Sequence, residues 1–339
     1  MMKMMHAALT GAVVSLALGA GPALALDKVT FGTNWLPEAE HGGYYQAVAD
    51  GTYKKCGLDV TIVPGGPQVN NKAMMMAGKL TFNMDGNFLS PFQAAKQGIP
   101  LVVVAADFQK DPQILMTHPG RVKDFKEIGD LPKIFIGNNG YQTFYQWLIT
   151  ARHFKASNRV PYTFNSGPFI ADKDSAQQGY VTSEPFAVET QGHFKPDVWL
   201  LADHGWNTPS TLIETMQSTL QEHPEWVKCF VEGSAVGWAN YLYGDPSKGN
   251  AAILKANAEM SQAQLDFSVK AMKEHGIVDS GLSLTKGIGA MSGETIHSFY
   301  DKMVKAGVVE KGLDIDKIYT LKYANTGASL PVKKKLLGQ

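Results

Sequence analysis

The residues best placed to do chemistry fall in four short segments, Asn34–Gly43, Asp85–Asn87, Asn138–Tyr141 and Thr182–Pro185, each read as following a strand. In open α/β sheets ligands are held outside the carboxyl ends of strands, so these segments matter more than the periodic stripes between them. Trp35 lies between a strand and Pro37 on a stiff stretch of chain, where its indole can stack on a planar ring. Tyr44, Tyr141 and Tyr145 fall at or just inside helix starts and are expected to face the same cleft. Asn34, Glu38, His41 and Asn87 complete the candidate ligand-binding set with hydrogen-bonding groups.

Asp85 and Glu184 are expected to enter the cleft from opposite sides, and neither has a cationic neighbour in its own segment. Each can accept paired N–H bonds from an amino-substituted nitrogen heterocycle or balance a cationic ligand; each can equally cap a helix. A nitrate, sulfonate or phosphate site calls for Arg or Lys aimed at the anion. None of the four segments contains either, and His41 is the one possible cation. Helix N-terminal amides can hold an anion unaided, so a small anion stays as an alternative to a flat, neutral or amine-bearing ligand.

Signals for catalysis are poor. Gly65-Gly66-Pro67 reads as a turn rather than a phosphate loop, and neither a GxSxG elbow nor an HExxH helix occurs. The histidines are scattered without metal-ligand spacing. No catalytic residue, metal or cofactor is expected.

The positioning elements alternate between strand and helix, which predicts an α/β fold with mostly parallel sheets. Val29, Phe31 and Thr33 read as a strand, Tyr45 to Cys56 as a helical stripe, and Leu58, Val60 and Ile62 as a second strand. Val69, Ala73, Met76 and Ala77 form a stripe closed by Gly78, followed by a strand at Leu80, Phe82 and Met84. Ser90-Pro91 reads as a helix start before a strand from Leu101 to Ala106. Strands then recur at Ile134–Ile136, Tyr162, Tyr180 and Val198–Leu201, and from about Ser210 the pattern turns helical. The chain of 339 residues exceeds what one core serves, so two lobes are expected, with crossovers at Asp107–Pro112 and Asp203–Thr208. The limits are residues 26–108 for the first segment of lobe 1, 109–204 for lobe 2, and 205–339 for the helical return to lobe 1.

Lys3, the apolar run Ala7–Ala20 and Ala23-Leu24-Ala25 have the three regions of a secretory signal peptide, giving residues 1–25 as the signal, cleavage near Ala25, and a periplasmic destination. Lys+Arg and Asp+Glu both total 31, which argues against a nucleic-acid footprint or a polybasic membrane patch. Cys56 falls on an apolar stripe and Cys229 beside Phe230, so two buried free thiols are expected; a bond would need their Cα atoms close together.

The run from Asn34 to Tyr45, with Asp50-Gly51, Gly57-Leu58-Asp59-Val60, Pro64 to Pro67 and Gly78-Lys79, resembles the NMT1/THI5-like solute-binding family, and Gln178 to Pro185 looks like its second-lobe ligand loop. The resemblance implies a type II periplasmic-binding-protein fold of two hinged α/β lobes. It also implies a monomer that takes a small molecule and docks on an ABC permease. Members with this loop pattern are associated with thiamine pyrimidine precursors such as hydroxymethylpyrimidine and formylaminopyrimidine, others with riboflavin, and more distant ones with nitrate or sulfonates. Fungal relatives are enzymes that build the pyrimidine from pyridoxal phosphate and one of their own histidines. His41 matches that histidine, but Asp85 stands where the enzyme's cofactor lysine belongs, and the clustered cysteines are missing.

Overall fold

The computed structural model describes residues 25–66 and 69–339. The first 24 residues of the expected signal segment, and Pro67, lie outside the described residues. The first segment runs β1 Asp27–Gly32, α1 Gly42–Ala49, α2 Thr52–Lys55, β2 Leu58–Val63, α3 Asn71–Met76, β3 Phe82–Asn87, α4 Leu89–Lys96 and β4 Leu101–Phe108. The middle runs β5 Gln113–Thr117, β6 Lys133–Ile136, α5 Asn138–Gln142, α6 Phe144–Arg152, β7 Arg159–Pro161, α7 Gly167–Ala171, β8 Ser175–Tyr180, α8 Glu184–Gly192 and β9 Asp197–Leu200. The last part runs β10 Ser210–Met216, α9 Gln217–Glu222, α10 Pro224–Tyr243, α11 Ser247–Ala256, α12 Gln262–Glu274, α13 Ser283–Lys286, α14 Gly293–Lys305 and α15 Ser329–Leu336.

Two five-stranded sheets result, ordered β2-β1-β3-β10-β4 and β7-β6-β8-β5-β9. The chain changes sheets between Phe108 and Gln113 and again between Leu200 and Ser210. Each sheet carries one reversed strand, β10 against β3 and β4, and β5 against β8 and β9. Both reversed strands are missing from the sequence reading, and β10 corrects the expectation of helix from Ser210. Their residues are buried on both faces, all five in β5 and six of seven in β10, so neither shows the two-residue alternation that marks a half-exposed strand. The stripe at Val69, Ala73 and Met76 is also out of phase. Met75 is the buried residue of α3, whereas Val69 and Met76 are largely exposed. The helix expected at Ser90 starts at Leu89, whose N–H is accepted by Asn87 Oδ1.

The core of lobe 1 is aromatic. Phe230 of α10 stacks on Phe82 at 4.2 Å and on Tyr53 at 5.1 Å, with Phe31 beside Tyr44 at 4.5 Å. Helix α1 reaches α10 through glycines. A Cβ on Gly43 would stand 2.3 Å from the Trp238 ring, and one on Gly237 2.2 Å from the Gly43 carbonyl oxygen. Gly42-Gly43, read above as part of a binding segment, is therefore a packing contact.

Cys56 and Cys229 form a disulfide, with Cα atoms 5.7 Å apart, which corrects the expectation of free thiols. Cys56 is an exposed C-cap of α2 that faces α10, a juxtaposition only the folded chain makes. The bond joins the first segment of lobe 1 to the returning one and encloses the whole of lobe 2. In the chain-entropy account a loop this long contributes about 5 kcal/mol, of which measured disulfides typically deliver about 2–4 kcal/mol. Replacing both cysteines by serine is expected to lower the melting temperature by about 5–10 °C and leave ligand affinity intact. Calorimetric scans of both proteins check this, and equal melting temperatures would show the bond to be dispensable.

Candidate functional site

The carboxyl ends of the strands in the two sheets face one another, and the lobes are in contact there. Trp35 of lobe 1 meets Phe164 of lobe 2 with ring centroids 4.9 Å apart. Trp35 is braced from below: Thr33 Oγ1 donates to its carbonyl at 2.9 Å, Gly65 N–H donates to the same oxygen at 3.1 Å, and Asn71 Nδ2 holds Thr33 O at 2.9 Å. Phe164 has φ +61° and is more than half exposed, an unusual state for a large apolar residue at a loop tip.

The segment after Trp35 turns through a short 3-10 helix, Ala39–His41, which carries Glu38 and Glu40 towards lobe 2. From lobe 2, the turn between β8 and α8 presents Glu184, whose Oε2 accepts the Tyr180 N–H at 2.6 Å. Glu184 lies directly against Gly179, where an added Cβ would come within 2.7 Å of the Glu184 Cβ, so only glycine lets the carboxylate settle on β8. Burial, then Glu40 and Glu184, push the Glu38 carboxyl well above the usual range. Burial raises Glu40, with the Thr182 hydroxyl pulling it back. Glu184 is pushed up to about 7, by burial against the bond from Tyr180 and with Glu40 adding to the rise. Among the described residues no lysine or arginine pairs with any of the three.

The remaining candidates divide sharply. Tyr44 and Tyr145 correct the sequence reading, since both are fully buried and offer no face to a ligand. Tyr44 donates to Asp107 Oδ2 at 2.7 Å in the lobe 1 core, and Tyr145 to the Lys155 carbonyl at 3.0 Å. Asn87 is engaged, capping Leu89 and donating to Asp111 Oδ2 at 3.1 Å. His41 is fully buried with Nε2 3.1 Å from Asn34 Oδ1, and burial lowers its pKa to about 3, so it is a neutral structural residue and not a cation. Asp85 lies within β3 rather than after it, paired with Lys72 at 2.8 Å. Tyr141 is partly exposed beneath the Arg159 guanidinium at 5.1 Å, and Arg159 also donates to Asn138 Oδ1 at 2.7 Å.

Two cations thus stand beside segments that contain none of their own, because Lys72 comes from α3 and Arg159 from β7. Sequence reasoning missed both, along with Phe164, Glu40 and the buried Glu214. Glu214 pairs with Asn83 at 3.0 Å under Lys72. Glu40 had a visible signal, lying inside a quoted segment two residues from Glu38; Phe164 and Glu214 had none. Two surface depressions of about 670 and 480 Å³ lie elsewhere on lobe 1, around Gln217 and Tyr319 and around Cys56 and Val332, and no residue of the interlobe site lines either.

Two α/β lobes, crossed twice by the chain and meeting at the carboxyl ends of their strands, define the periplasmic-binding-protein fold. The chain belongs to the NMT1/THI5 like family, whose profile matches residues 38–248. It is 23% identical over 318 residues to the riboflavin-binding protein RibY of Chloroflexus aurantiacus, covering 89% of this chain and 88% of that one. The periplasmic aliphatic sulphonate binding protein SsuA of Escherichia coli superposes with a TM-score of 0.62 at 13% identity, covering 87% of this chain and 92% of that one. The desulfurization enzyme DSZB superposes with a TM-score of 0.52 at 11% identity, covering 90% of this chain and 99% of that one. At such identities the superpositions show a shared fold, which hosts both binding proteins and an enzyme.

Proposed function

We propose that this chain is the substrate-binding component of an ABC importer, exported to the periplasm, which closes its lobes as a monomer on a flat, amine-bearing nitrogen heterocycle. The first candidate is a thiamine pyrimidine precursor, hydroxymethylpyrimidine or formylaminopyrimidine. Residues 26–108 and 205–339 move as one lobe and 109–204 as the other. The disulfide suits an oxidising compartment, and among the described residues no helix is long and apolar enough to cross a membrane.

The observation that carries the ligand reading is the gathering of Glu38, Glu40 and Glu184 at the lobe interface without a cation beside them. Burying an anion there would add repulsion to desolvation, whereas amino and ring N–H donors satisfy the carboxylates. Trp35 and Phe164 supply an aromatic pair for the ring, with Asn34, Glu38 and Tyr141 lining it. Riboflavin is the second reading, favoured by the likeness to RibY along nearly the whole chain. No catalytic step is proposed. Burial works against the Lys72 charge, but Asp85 and Glu214 hold its ammonium above the ordinary value, the opposite of what a Schiff-base lysine needs.

The test is calorimetric titration of the mature chain, unfolded and refolded to strip bound ligand, with hydroxymethylpyrimidine, formylaminopyrimidine, riboflavin, taurine and nitrate. One-to-one binding of a pyrimidine is expected. Binding of taurine or nitrate alone would overturn the carboxylate argument.

A further inference from the structure

Thr182 lies in the turn after β8, two residues before Glu184, and is fully buried between two elements of the other lobe. Its hydroxyl donates to Glu40 Oε1 on the 3-10 turn after Trp35. Its carbonyl accepts from Ser268 Oγ of α12 at 2.6 Å. Glu40 and Ser268 are each 2% exposed, and the rings of Phe186 in α8 and Phe267 in α12 stand 5.5 Å apart alongside. One backbone turn of lobe 2 is thus gripped from both sides by lobe 1.

We propose that Glu40, Thr182 and Ser268 are positioning residues for ligand capture, a latch that biases the lobes towards closure even before ligand arrives and sets the Glu184 carboxylate in place as they close. This rests on the reading of the interlobe cleft as the ligand site. The chemistry of the three groups suits a reversible contact. Ser268 has one hydroxyl proton and two carbonyls in reach, Thr182 O and, at 2.8 Å, Gln264 O of its own helix. When the lobes part, the hydroxyl keeps its helical acceptor, and Thr182 and Glu40 pass to water. When they close, Glu40 loses water and the Thr182 hydroxyl is the donor that offsets that loss. Because Glu184 follows Thr182 by two residues and is tied back to Tyr180 N, a gripped Thr182 leaves its carboxylate little freedom. Neither Glu40 nor Ser268 touches Glu184 through a hydrogen bond, so they act through the turn.

The experiment compares wild type with Thr182→Val, which keeps the shape and removes the donor, with Thr182→Ser, which restores it, and with Ser268→Ala. Small-angle scattering of the ligand-free proteins reads closure, and stopped-flow dissociation of hydroxymethylpyrimidine and of riboflavin reads capture. The expectation is a larger radius of gyration for Thr182→Val, an off-rate raised about tenfold or more with the on-rate nearly unchanged, recovery of both by Thr182→Ser, and a smaller effect of Ser268→Ala. A lower melting temperature without those changes would mark the contacts as ordinary packing and overturn the latch. If wild type binds neither probe, the ligand reading fails, and the scattering comparison still decides the latch: superimposable curves for wild type and Thr182→Val overturn it.

Discussion

Glu184→Gln is expected to weaken hydroxymethylpyrimidine binding about 10- to 100-fold, the range for losing a charge-assisted hydrogen bond in a buried site. The amide is isosteric and can still accept the Tyr180 N–H through its oxygen, so the turn and its contact with Gly179 should survive. What disappears is the carboxylate's second acceptor, because the amide directs an NH₂ group at the donors of an aminopyrimidine. Riboflavin offers no exocyclic amine, so its affinity should fall by less than about threefold. Calorimetric titration of both ligands against both proteins measures the ratio. Equal losses for the two would detach Glu184 from amine recognition and favour a general role in closure.

The stability of the ligand-free protein is expected to peak near pH 5 and to fall as pH rises towards 8, by about 5–10 °C in melting temperature. Six carboxyls are responsible: Glu38, Glu40 and Asp111, each raised chiefly by burial, and three more. Asp107 is pushed up to about 7 by burial, opposed by the bond from Tyr44. Glu214 rises to about 8 through burial and Asp85, opposed by Lys72 and Asn83. Glu184 rises to about 7, as described above. Each keeps in the folded state a proton that the unfolded chain has lost above about pH 4, so the folded state binds more protons and stability declines with rising pH until the folded value is passed. His41 acts in the opposite sense. Its folded pKa of about 3 lies below the ordinary value of 6.5, so it adds stability as pH rises to 6.5, and with His204 shifted the same way two groups stand against six. Glu214→Gln, which keeps a hydrogen-bonding partner for Asn83, should flatten the slope between pH 5 and 8. A melting temperature that is level or rising over that range would show these carboxyls to be ionised in the fold or better compensated than their surroundings imply.

Much of the architecture follows from local pattern. Period-two alternation at Val29–Phe31 and Leu58–Ile62 and glycine stops at Gly78 and Gly98 locate strands and helix ends of the first segment, because those signals depend only on near neighbours in the chain. The same pattern cannot reveal β5 and β10, whose residues are buried on both faces and whose strand state is settled by distant partners, as in the bond between Asn83 and Glu214, 131 residues apart. Side-chain chemistry divides in the same way. The types and spacing in Asn34–His41 and Thr182–Glu184 mark these as segments of interest, since carboxylates, aromatics and amides after strands are visible without a fold. Whether a marked residue faces ligand or core is a question of burial. There the tertiary structure withdraws Tyr44 and Tyr145 into aromatic packing, neutralises His41, pairs Asp85 with Lys72, and joins Cys56 to Cys229. It also assembles what no single segment contains: Trp35 on Phe164, and Glu38 and Glu40 beside Glu184, contacts between lobes that are distant along the chain and meet only when two separately built sheets are brought face to face.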